Sequence, residues 1–357
     1  MEAFWGHSVS VFRSLFFVAI LGFSLAFGPG LRAGEVGDLD ESALGRIAAR
    51  LKPGDFVEVD TALPPGMTNL SDLFRVQDDN GRSLAIDGWT DSAHWDPQRK
   101  RTFFIGMRKY KRFISYEVPT NSWEELGWAG EPPPKFEKFG HVYGRTALDW
   151  KRGHYYWLSP GRILSRYRID EARWEAIPGI ALGGAISMEW HEKLDMLIAI
   201  NRGHQMVSFR NGELKAFGES AVDGYHSVGR YNRKRGDMLF AGGNKTLRKV
   251  ELIDAEGKVR RFKDAPFDIS IQNASLSYDP QSGNYLIVLR KQRQIFEFDP
   301  ERDEWRLARE WSQVDWPFGT HGFYTPVVID ELGVLFWQSE TGNRVYRHRS
   351  AFVRGER

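Results

Sequence analysis

Six copies of a strand–turn–strand pattern recur along the chain and constrain its fold more than any other feature. In each copy an apolar run ends in a polar turn and a second apolar run follows, as in SYDPQSGNYLIVL at residues 277–289. Successive turns lie 53, 42, 41, 47 and 51 residues apart, at Asp96, Asp149, His191, Asn232, Asp279 and Asp330. A period of about 40–50 residues with four short strands per unit is typical of a β-propeller.

The two ends of the chain contain complementary parts of one repeat. Outer strands follow the first five units, but the sixth ends near His348 with no outer strand behind it. The segment DFVEV, residues 55–59, has the outer-strand pattern without inner strands before it. We therefore predict an all-β, six-bladed propeller in which Phe56–Val59 completes the sixth blade, with seven blades as the alternative. Such closure removes exposed edge strands.

An aromatic residue followed seven residues later by tryptophan recurs in three of the units. A double glycine occurs once at the end of a second strand, at Gly242-Gly243, and Gly106 supplies a single glycine. Over residues 55–348 this pattern resembles the kelch and galactose-oxidase-like propeller superfamily, although the third, fourth and sixth units lack the tryptophan. The aromatic pairs, which we expect to lie in the core, are Tyr116 with Trp123, Tyr167 with Trp174, and Phe298 with Trp305.

The N-terminus has the features of an export signal. Arg13 precedes an apolar run at residues 14–27, which is shorter than the roughly 20 residues of a membrane span. We predict a signal peptide at 1–33, with an uncleaved anchor or a buried helix as the alternative. The chain contains no cysteine, so an exported form would have no disulfides. These features favour a secreted or periplasmic bacterial protein that has no membrane span after signal removal.

The segment 34–54 is predicted to contain a short amphipathic helix and a linker. Leu44, Ile47, Ala48 and Leu51 recur at helical spacing before Lys52-Pro53-Gly54. The propeller is expected at 55–350. Its blades are placed near 85–126, 141–177, 183–217, 224–262, 272–308 and 320–348, the last completed by 55–59. An unusually long insertion at 61–82 precedes the first inner strand, and long ordered loops are often functional.

Charge is unevenly distributed although the net charge of the 357 residues is only +2. In a propeller the loops between second and third strands share one face with the starts of the inner strands. These six loops carry formal charges of +4, +1, +1, +1, +3 and 0, a total of +10, whereas three loops between third and fourth strands total −5. A basic rim of this kind attracts anions. In an exported protein we expect an acidic polysaccharide or oligosaccharide rather than nucleic acid.

Several polar and aromatic side chains are predicted to converge where the inner strands begin. The starts of the inner strands contribute His141, Tyr143, Arg145, Tyr225, His226, Gln272, Asn273 and His321. We predict catalytic roles for His141, Tyr225, His226 and Arg145 if the protein is an enzyme. The predicted ligand-binding residues are Trp89, Tyr143, Asn273, His321, Tyr324, Arg108, Lys109, Arg202 and Lys291.

Three functions fit this pattern. In a binding module, the basic rim would hold uronate or sulfate groups while aromatic rings stack on sugars. In a polysaccharide lyase, Arg145, Asn273 or His141 would neutralise the carboxylate of a uronate, and Tyr225 or His226 would remove the C5 proton. Some ulvan-degrading lyases are propellers with similar residue types. In a protein-interaction scaffold, the common role of kelch propellers, an exposed apolar patch would replace the sugar pockets.

No cofactor is predicted, and the expected protein is a monomer. Tyr225, His226 and His321 resemble copper ligands of galactose oxidase, but that family crosslinks a tyrosine to a cysteine and this chain has no cysteine. A plain metal site on His141, His226 and His321 is the minor alternative.

Overall fold

Six four-stranded antiparallel sheets surround a central axis in a computed structural model of the chain. It describes residues 38–77, 80–88, 90, 93–107, 111–130, 142–159, 163–180, 182, 186–317 and 324–352. The innermost strands of the sheets contact one another in a closed ring, in chain order and with the sixth returning to the first. The prediction of an all-β propeller with six blades is confirmed.

Each blade runs from an inner strand at the axis to an outer strand at the rim. Blade 1 contains β4 (His94–Asp96), β5 (Arg101–Met107), β6 (Lys111–Glu117) and β7 (Ser122–Glu125). Blade 2 contains β8 (Thr146–Asp149), β9 (His154–Leu158), β10 (Leu164–Arg168) and β11 (Arg173–Ala176). Blade 3 contains β12 (Ile186–His191), β13 (Met196–Asn201), β14 (Gln205–Arg210) and β15 (Glu213–Glu219).

The second half of the ring follows the same order. Blade 4 contains β16 (Ser227–Asn232), β17 (Asp237–Gly242), β18 (Val250–Ile253) and β19 (Val259–Arg261). Blade 5 contains β20 (Ala274–Tyr278), β21 (Tyr285–Leu289), β22 (Gln294–Asp299) and β23 (Glu304–Glu310). Blade 6 contains β24 (Thr325–Ile329), β25 (Val334–Gln338), β26 (Asn343–Tyr346) and β1 (Phe56–Val59). Two 3-10 turns lie at Ile169–Glu171 and Asp330–Leu332.

The first and last strands of the ring close it by pairing with each other. In blade 6, β1 runs antiparallel to β26, with Phe56 opposite Tyr346 and Val59 opposite Asn343. The Phe56 ring stacks on Tyr346 at 4.7 Å between centroids and contacts the edge of Trp337 at 5.5 Å. This confirms the predicted closure, in which a strand from the N-terminal part of the chain becomes the outer strand of the last blade.

The recurring aromatic pairs are cross-strand neighbours at the outside of their blades. Each tryptophan on the fourth strand lies directly opposite its aromatic partner on the third. The ring centroids are 5.2 Å apart for Tyr116 and Trp123, 5.2 Å for Tyr167 and Trp174, and 4.5 Å for Phe298 and Trp305. The seven-residue spacing therefore reflects a tight turn that brings two rings together, as expected of core residues.

The predicted N-terminal helix is α1 (Ala43–Arg50), which packs beside blade 6. Ser42 caps it by accepting a hydrogen bond from the Gly45 amide at 2.9 Å, and Leu44 and Ala48 are buried. Within the described residues, no helix is long and apolar enough to cross a membrane. The apolar run at 14–27 lies outside the described residues.

The insertion at 61–82 is largely a structured element packed on blade 1. It contains α2 (Leu70–Phe74), with a capping box between Asn69 and Asp72, and β2 (Arg75–Gln77), which forms a hairpin with β3 (Ser83–Ala85) just after the insertion. Phe74 is fully buried and contacts the edge of Trp123 at 5.4 Å. The long insertion thus extends the hydrophobic core beyond the blade.

Candidate functional site

One face of the propeller brings together the starts of the inner strands and the loops between second and third strands. His226 immediately precedes β16, and its Nδ1 lies 2.7 Å from Oδ1 of Asn244, in the loop after β17. Gln272, just before the inner strand of blade 5, places its Nε2 3.0 Å from the same nitrogen. We call this face the axial face and its centre the axial mouth.

Three aromatic rings from two inner-strand starts form the centre of the axial mouth. Tyr225 and His226 stack with centroids 3.9 Å apart, and Tyr143 from blade 2 lies 4.8 Å from His226 and 5.6 Å from Tyr225. Blade 2 and blade 4 therefore meet here across the start of blade 3. The structure brings together four predicted site residues in this cluster, which consists of Tyr143, Arg145, Tyr225 and His226.

Two residues of the cluster have an unusual backbone conformation. Tyr143 has a φ of 55° and His226 a φ of 68°, in the left-handed region that bulky side chains seldom adopt. The neighbouring backbone holds this conformation, because Thr90 donates its hydroxyl to the Tyr143 carbonyl at 3.1 Å and Ile271 donates its amide to the His226 carbonyl at 2.9 Å. Such conformations concentrate at binding and catalytic sites, where the surrounding fold enforces them.

Two guanidinium groups lie against the tyrosine rings of the cluster. Arg145 is only 7% exposed, and its Cζ lies 5.2 Å from the centre of the Tyr143 ring. Arg202, from the loop after β13, is exposed and lies 5.3 Å from the centre of the Tyr225 ring. A cation over an aromatic face is attracted by the ring quadrupole and keeps N–H groups at the edge of the guanidinium for other acceptors. One guanidinium thus belongs to the floor of the mouth and one to its rim.

The imidazole of His226 is neutral at physiological pH. Burial lowers the pKa of His226, and the hydrogen bond to Asn244 only partly offsets this. Nδ1 of His226 lies 2.7 Å from the Asn244 oxygen and 3.0 Å from the Gln272 amide nitrogen. Burial, and then the hydrogen bond with Tyr225, raise the pKa of Tyr143 well above its usual range. The cluster therefore contains a neutral imidazole at His226 and a neutral phenol at Tyr143.

The structure corrects one predicted ligand contact. Tyr324 is fully buried, with its ring 4.9 Å from Trp337, so it is a core residue and does not face the mouth. Asn273 is half-buried and accepts a hydrogen bond from the Ser270 amide at 3.0 Å, and its ligand contact stays a prediction. Lys291 is exposed on the axial face. The predicted residues Trp89, Arg108, Lys109, His141 and His321 lie outside the described residues.

Several charges counted in the basic rim have structural roles instead. Arg112 donates to the carbonyls of Asp72 and Leu73 at the end of α2. Lys111 lies 4.0 Å from the centre of the Trp128 ring, and Arg290 is buried with a hydrogen bond of 3.0 Å to the Ile271 carbonyl. The exposed basic residues described in these loops are Arg202, Lys245 and Lys291, so the sequence-based charge overstates the basic surface.

Charges on the opposite face are largely paired between blades. Arg99, in the first turn of blade 1, binds Asp170 of blade 2 at 2.7 and 2.6 Å. Arg152, in the equivalent turn of blade 2, binds Asp195 of blade 3 at 2.6 and 2.8 Å. The loops between third and fourth strands were predicted to make this face acidic. Arginines in the turns between first and second strands neutralise part of that charge.

Asn244 is a site residue that the sequence reasoning missed. It follows Gly242 and Gly243, whose φ values are 77° and 99°. A Cβ on either glycine would lie 2.1 Å from the Ile269 carbonyl oxygen or 2.3 Å from that of Asp223. The double glycine therefore lets the loop fold back so that Asn244 reaches His226, and it was the available signal for this contact.

A small cavity on the axis is separate from this cluster. Its volume is about 60 Å³, and its wall includes His94, Glu189 and Arg230 from three inner strands. This volume holds only a few water molecules and is too small for a sugar ring. Among the described residues, no group of three or more histidine, aspartate or glutamate side chains has the arrangement of a metal site. Of the alternative metal ligands, only His226 is among those residues.

Comparisons with known proteins support the fold. No protein-family profile and no curated protein sequence match the chain. A crystal structure of a protein of unknown function from Bacteroides thetaiotaomicron superposes with a TM-score of 0.52 at 13% identity, covering 82% of this chain and 76% of that one. A fungal alcohol oxidase of the AA5 family, in complex with copper, gives a TM-score of 0.46 at 10% identity over 74% of this chain and 75% of that one.

A streptogramin B lyase gives a TM-score of 0.47 at 11% identity, over 76% of this chain and 85% of that one. At these identities, similarity to the Bacteroides protein concerns the fold alone, and the two lower scores carry no functional argument. The chain is thus a six-bladed β-propeller whose function must be argued from its own residues.

Proposed function

We propose that the axial mouth binds an anionic ligand, namely a uronate or sulfated segment of an acidic polysaccharide. The observation that carries the proposal is the cluster of Tyr143, Tyr225 and His226 with Arg145 and Arg202 against its tyrosine faces. Sugar rings bind through aromatic faces and hydroxyl contacts, and guanidinium groups bind carboxylate and sulfate oxygens in a bidentate manner. The cluster offers both kinds of contact.

Arg202 is the residue best suited to bind the anion directly. It is exposed, comes from a loop between second and third strands, and lies at the edge of the aromatic cluster. Its position over Tyr225 restricts the side chain without requiring a carboxylate from the protein. Arg145, which is buried beneath the rim, would orient Tyr143 and add positive potential.

In this proposal, the chain is a divergent kelch-like propeller that is exported after removal of a signal peptide at 1–33. It acts as a monomer on a polymer outside the cytoplasm. The aromatic pairs and the double glycine support the kelch-like assignment, and the apolar run at 14–27 supports export.

Binding can be tested by affinity electrophoresis and calorimetry with polygalacturonate, alginate and a sulfated glycan, using an uncharged glucan as the reference polymer. Arg202→Gln should weaken binding to the acidic polymer about tenfold, the effect of losing one charge-assisted contact. Lys234→Gln is the matched control, since it removes one exposed charge on the opposite face. Equal affinity for the uncharged glucan, or equal loss in both variants, would contradict the proposal.

A second candidate function, β-elimination on a uronate, rests on the grouping of Tyr225 and His226 with an arginine at the mouth. The Tyr225 ring stacks on His226 at 3.9 Å, and Arg145 lies beside the Tyr143 ring that contacts His226. In this reaction a base takes the C5 proton, the C4–O bond breaks, a C4=C5 double bond forms, and the departing oxygen gains a proton. Arg145 or Arg202 would stabilise the negative charge that develops on the carboxylate.

The two functions differ in an optical signal. Elimination creates an unsaturated uronate that absorbs in the ultraviolet, whereas binding alone does not. If the protein is a lyase, His226→Gln should abolish new absorbance while polymer retardation persists, and Tyr225→Phe should slow the reaction. Retardation without absorbance in the native protein would leave a binding module, and the absence of both would favour a protein partner.

A further inference from the structure

A cavity lined by basic residues lies between blades 2 and 3, away from the axial mouth. It opens near the turn after β8 and the turn between β14 and β15, which belong to the face opposite the axial mouth. Its volume is about 120 Å³, enough for on the order of ten water molecules or one small oxyanion with its hydration. Its wall consists of Arg152, His154, Tyr156, Arg166, Trp190, Phe209, Arg210, Asn211 and Gly212.

The charged residues among the described residues that line this cavity are all basic. Arg152 and Arg166 come from blade 2, and Arg210 comes from the end of β14 in blade 3. Their carboxylate partners, Asp149, Asp195 and Glu175, do not line the cavity. These carboxylates orient the guanidinium groups, and the five N–H donors of each arginine exceed what the partners accept. The cavity thus presents donors from two blades.

One imidazole nitrogen in the wall has no partner. Nδ1 of His154 is buried and makes no hydrogen bond with the described residues. Burial, followed by the charge of Arg166, lowers the pKa of His154 to about 4, so the ring is neutral at physiological pH. His154 therefore adds no positive charge to the cavity wall, whose cationic residues are the three arginines.

Packing makes the floor of the cavity rigid. The Tyr156 ring from blade 2 stacks on Trp190 of blade 3 with 5.7 Å between centroids and 7° between planes. Phe209 contacts the edge of Tyr156 at 6.1 Å, and Arg152 lies 5.9 Å from the centre of the Trp190 ring. A rigid aromatic floor keeps the guanidinium groups at fixed separations, and such preorganisation favours a ligand of defined size.

We infer that the cavity between blades 2 and 3 is a binding site for a tetrahedral oxyanion, either free phosphate or sulfate or such a group on a small ester. The inference rests on the convergence of three guanidinium groups, which have more N–H donors than their carboxylate partners accept, over an aromatic floor in one cavity. Planar guanidinium groups match the oxygens of phosphate and sulfate. This site is independent of the proposed function, because it lies on the other face and uses none of the same residues.

Phosphorus NMR of inorganic phosphate mixed with the intact protein tests the inference directly. We expect line broadening and a shift that saturate with protein concentration, and thermal stabilisation by phosphate or sulfate but not by chloride at equal ionic strength. Methyl phosphate in a parallel titration separates the two sources of the anion. Tighter binding of the ester assigns an esterified ligand, and tighter binding of inorganic phosphate assigns the free ion.

Substitutions on one hairpin separate a built site from general charge. Arg210→Gln should weaken phosphate binding about tenfold, because it removes donors from the cavity wall. Lys215→Gln should leave binding within about twofold, since Lys215 is exposed on the adjacent β15 and does not line the cavity. The Arg210 side chain is 52% exposed, so this variant is expected to fold, and its urea midpoint checks that expectation.

Arg166→Gln provides a second variant on the opposite wall and should also weaken binding. Arg202→Gln, at the axial mouth, should leave phosphate binding unchanged. The inference is overturned if chloride stabilises the protein as much as phosphate does. It is equally overturned if Arg210→Gln and Lys215→Gln lose the same affinity, because binding would then follow surface charge.

Discussion

Replacing Glu297 should destabilise the closure of the propeller. Glu297 lies on β22 of blade 5, and its carboxylate is fully buried. It accepts hydrogen bonds from Asn284 Nδ2 at 2.7 Å, Ser350 Oγ at 2.7 Å and the Ala351 amide at 2.6 Å, and it pairs with His348 Nε2 at 3.1 Å. Three of these partners follow β26, the strand that pairs with β1. One buried carboxylate thus attaches the last described segment of the chain to the neighbouring blade.

The expected loss of stability follows from the number of hydrogen-bond donors that lose their acceptor. Glu297→Gln keeps the side-chain volume but replaces one acceptor oxygen by an amino group that points toward donors. Each buried donor left without an acceptor costs about 1–3 kcal/mol. We therefore expect Glu297→Gln to lower the free energy of unfolding by about 3 kcal/mol. Glu297→Ala should cost about 4–5 kcal/mol, because it also leaves a cavity.

The pH dependence of the effect has a defined sign. Burial alone would raise the pKa of Glu297, but the interactions with His348, Asn284 and Ser350 outweigh it and hold the pKa below its usual range. In the unfolded chain a glutamate has a pKa of about 4.3. The stabilisation is therefore complete above about pH 4.3 and is lost as the pH falls through the lower folded-state value. The difference between native protein and Glu297→Gln should shrink in acid.

Urea unfolding at pH 7, followed by tryptophan fluorescence, measures the effect. A second probe, far-ultraviolet circular dichroism, checks that unfolding is two-state before midpoints are converted to free energies. Glu304→Gln is the matched control, since Glu304 pairs with Arg306 at 2.9 Å on the same blade but is 42% exposed. It should cost less than about 1 kcal/mol. A Glu297→Gln variant as stable as this control would refute the reasoning.

Four further substitutions test the packing and electrostatics of the fold. Trp174→Ala should lower the free energy of unfolding, measured in urea, by about 3–5 kcal/mol, because the Trp174 ring is fully buried. Trp305→Ala should lower it less, because Trp305 is half-buried, and equal losses in the two variants would contradict this expectation. Phe56→Ala should cost about 2–3 kcal/mol through its stacking on Tyr346, and an unchanged melting temperature would show that the closure does not depend on this contact. Burial, with the charge of a neighbouring glutamate, raises the pKa of Asp87 to about 7, so the native protein should lose stability as the pH rises from about 4 to 7. Asp87→Asn should remove that slope in urea titrations and be more stable by up to about 4 kcal/mol above pH 7; an unchanged slope would refute the assignment.

The fold could be predicted because its determinants are local and repeated. A seven-residue spacing fixed the pairing of Tyr167 with Trp174, since only a tight hairpin places the two rings opposite each other. The outer-strand pattern at Phe56–Val59 could likewise pair only with the sixth unit, because that unit has no outer strand behind it and the ring must close. The insertion at 61–82 was harder, because Asn69 and Asp72 form a capping box within a loop-like composition, and Phe74 finds its partners only in the folded blade.

The site was predicted in part because inner-strand starts must converge, whereas side-chain direction is set by tertiary contacts. Tyr143 and His226 meet at 4.8 Å and both adopt positive φ, a conformation that no sequence rule assigns to a tyrosine. Tyr324 occupies a similar place in the sequence, yet its ring points into the core and contacts Trp337. The position of Asn244 depends on Gly242 and Gly243. Their role is seen only in the folded structure, where they approach the carbonyl oxygens of Ile269 and Asp223.

Arginines on the two faces of the propeller differ in whether a carboxylate of the protein or an aromatic ring holds them. On the face opposite the axial mouth, Arg99 reaches the Asp170 carboxylate of the next blade at 2.7 and 2.6 Å, so this guanidinium joins two blades. At the mouth, Arg202 lies over the Tyr225 ring, which attracts a guanidinium without neutralising its charge. A sum of formal charges over the loops does not distinguish an arginine that joins two blades from one that can attract an external anion. An arginine oriented by an aromatic ring retains its electrostatic attraction for an external anion, and this is why the axial mouth is the better candidate for a polyanionic ligand.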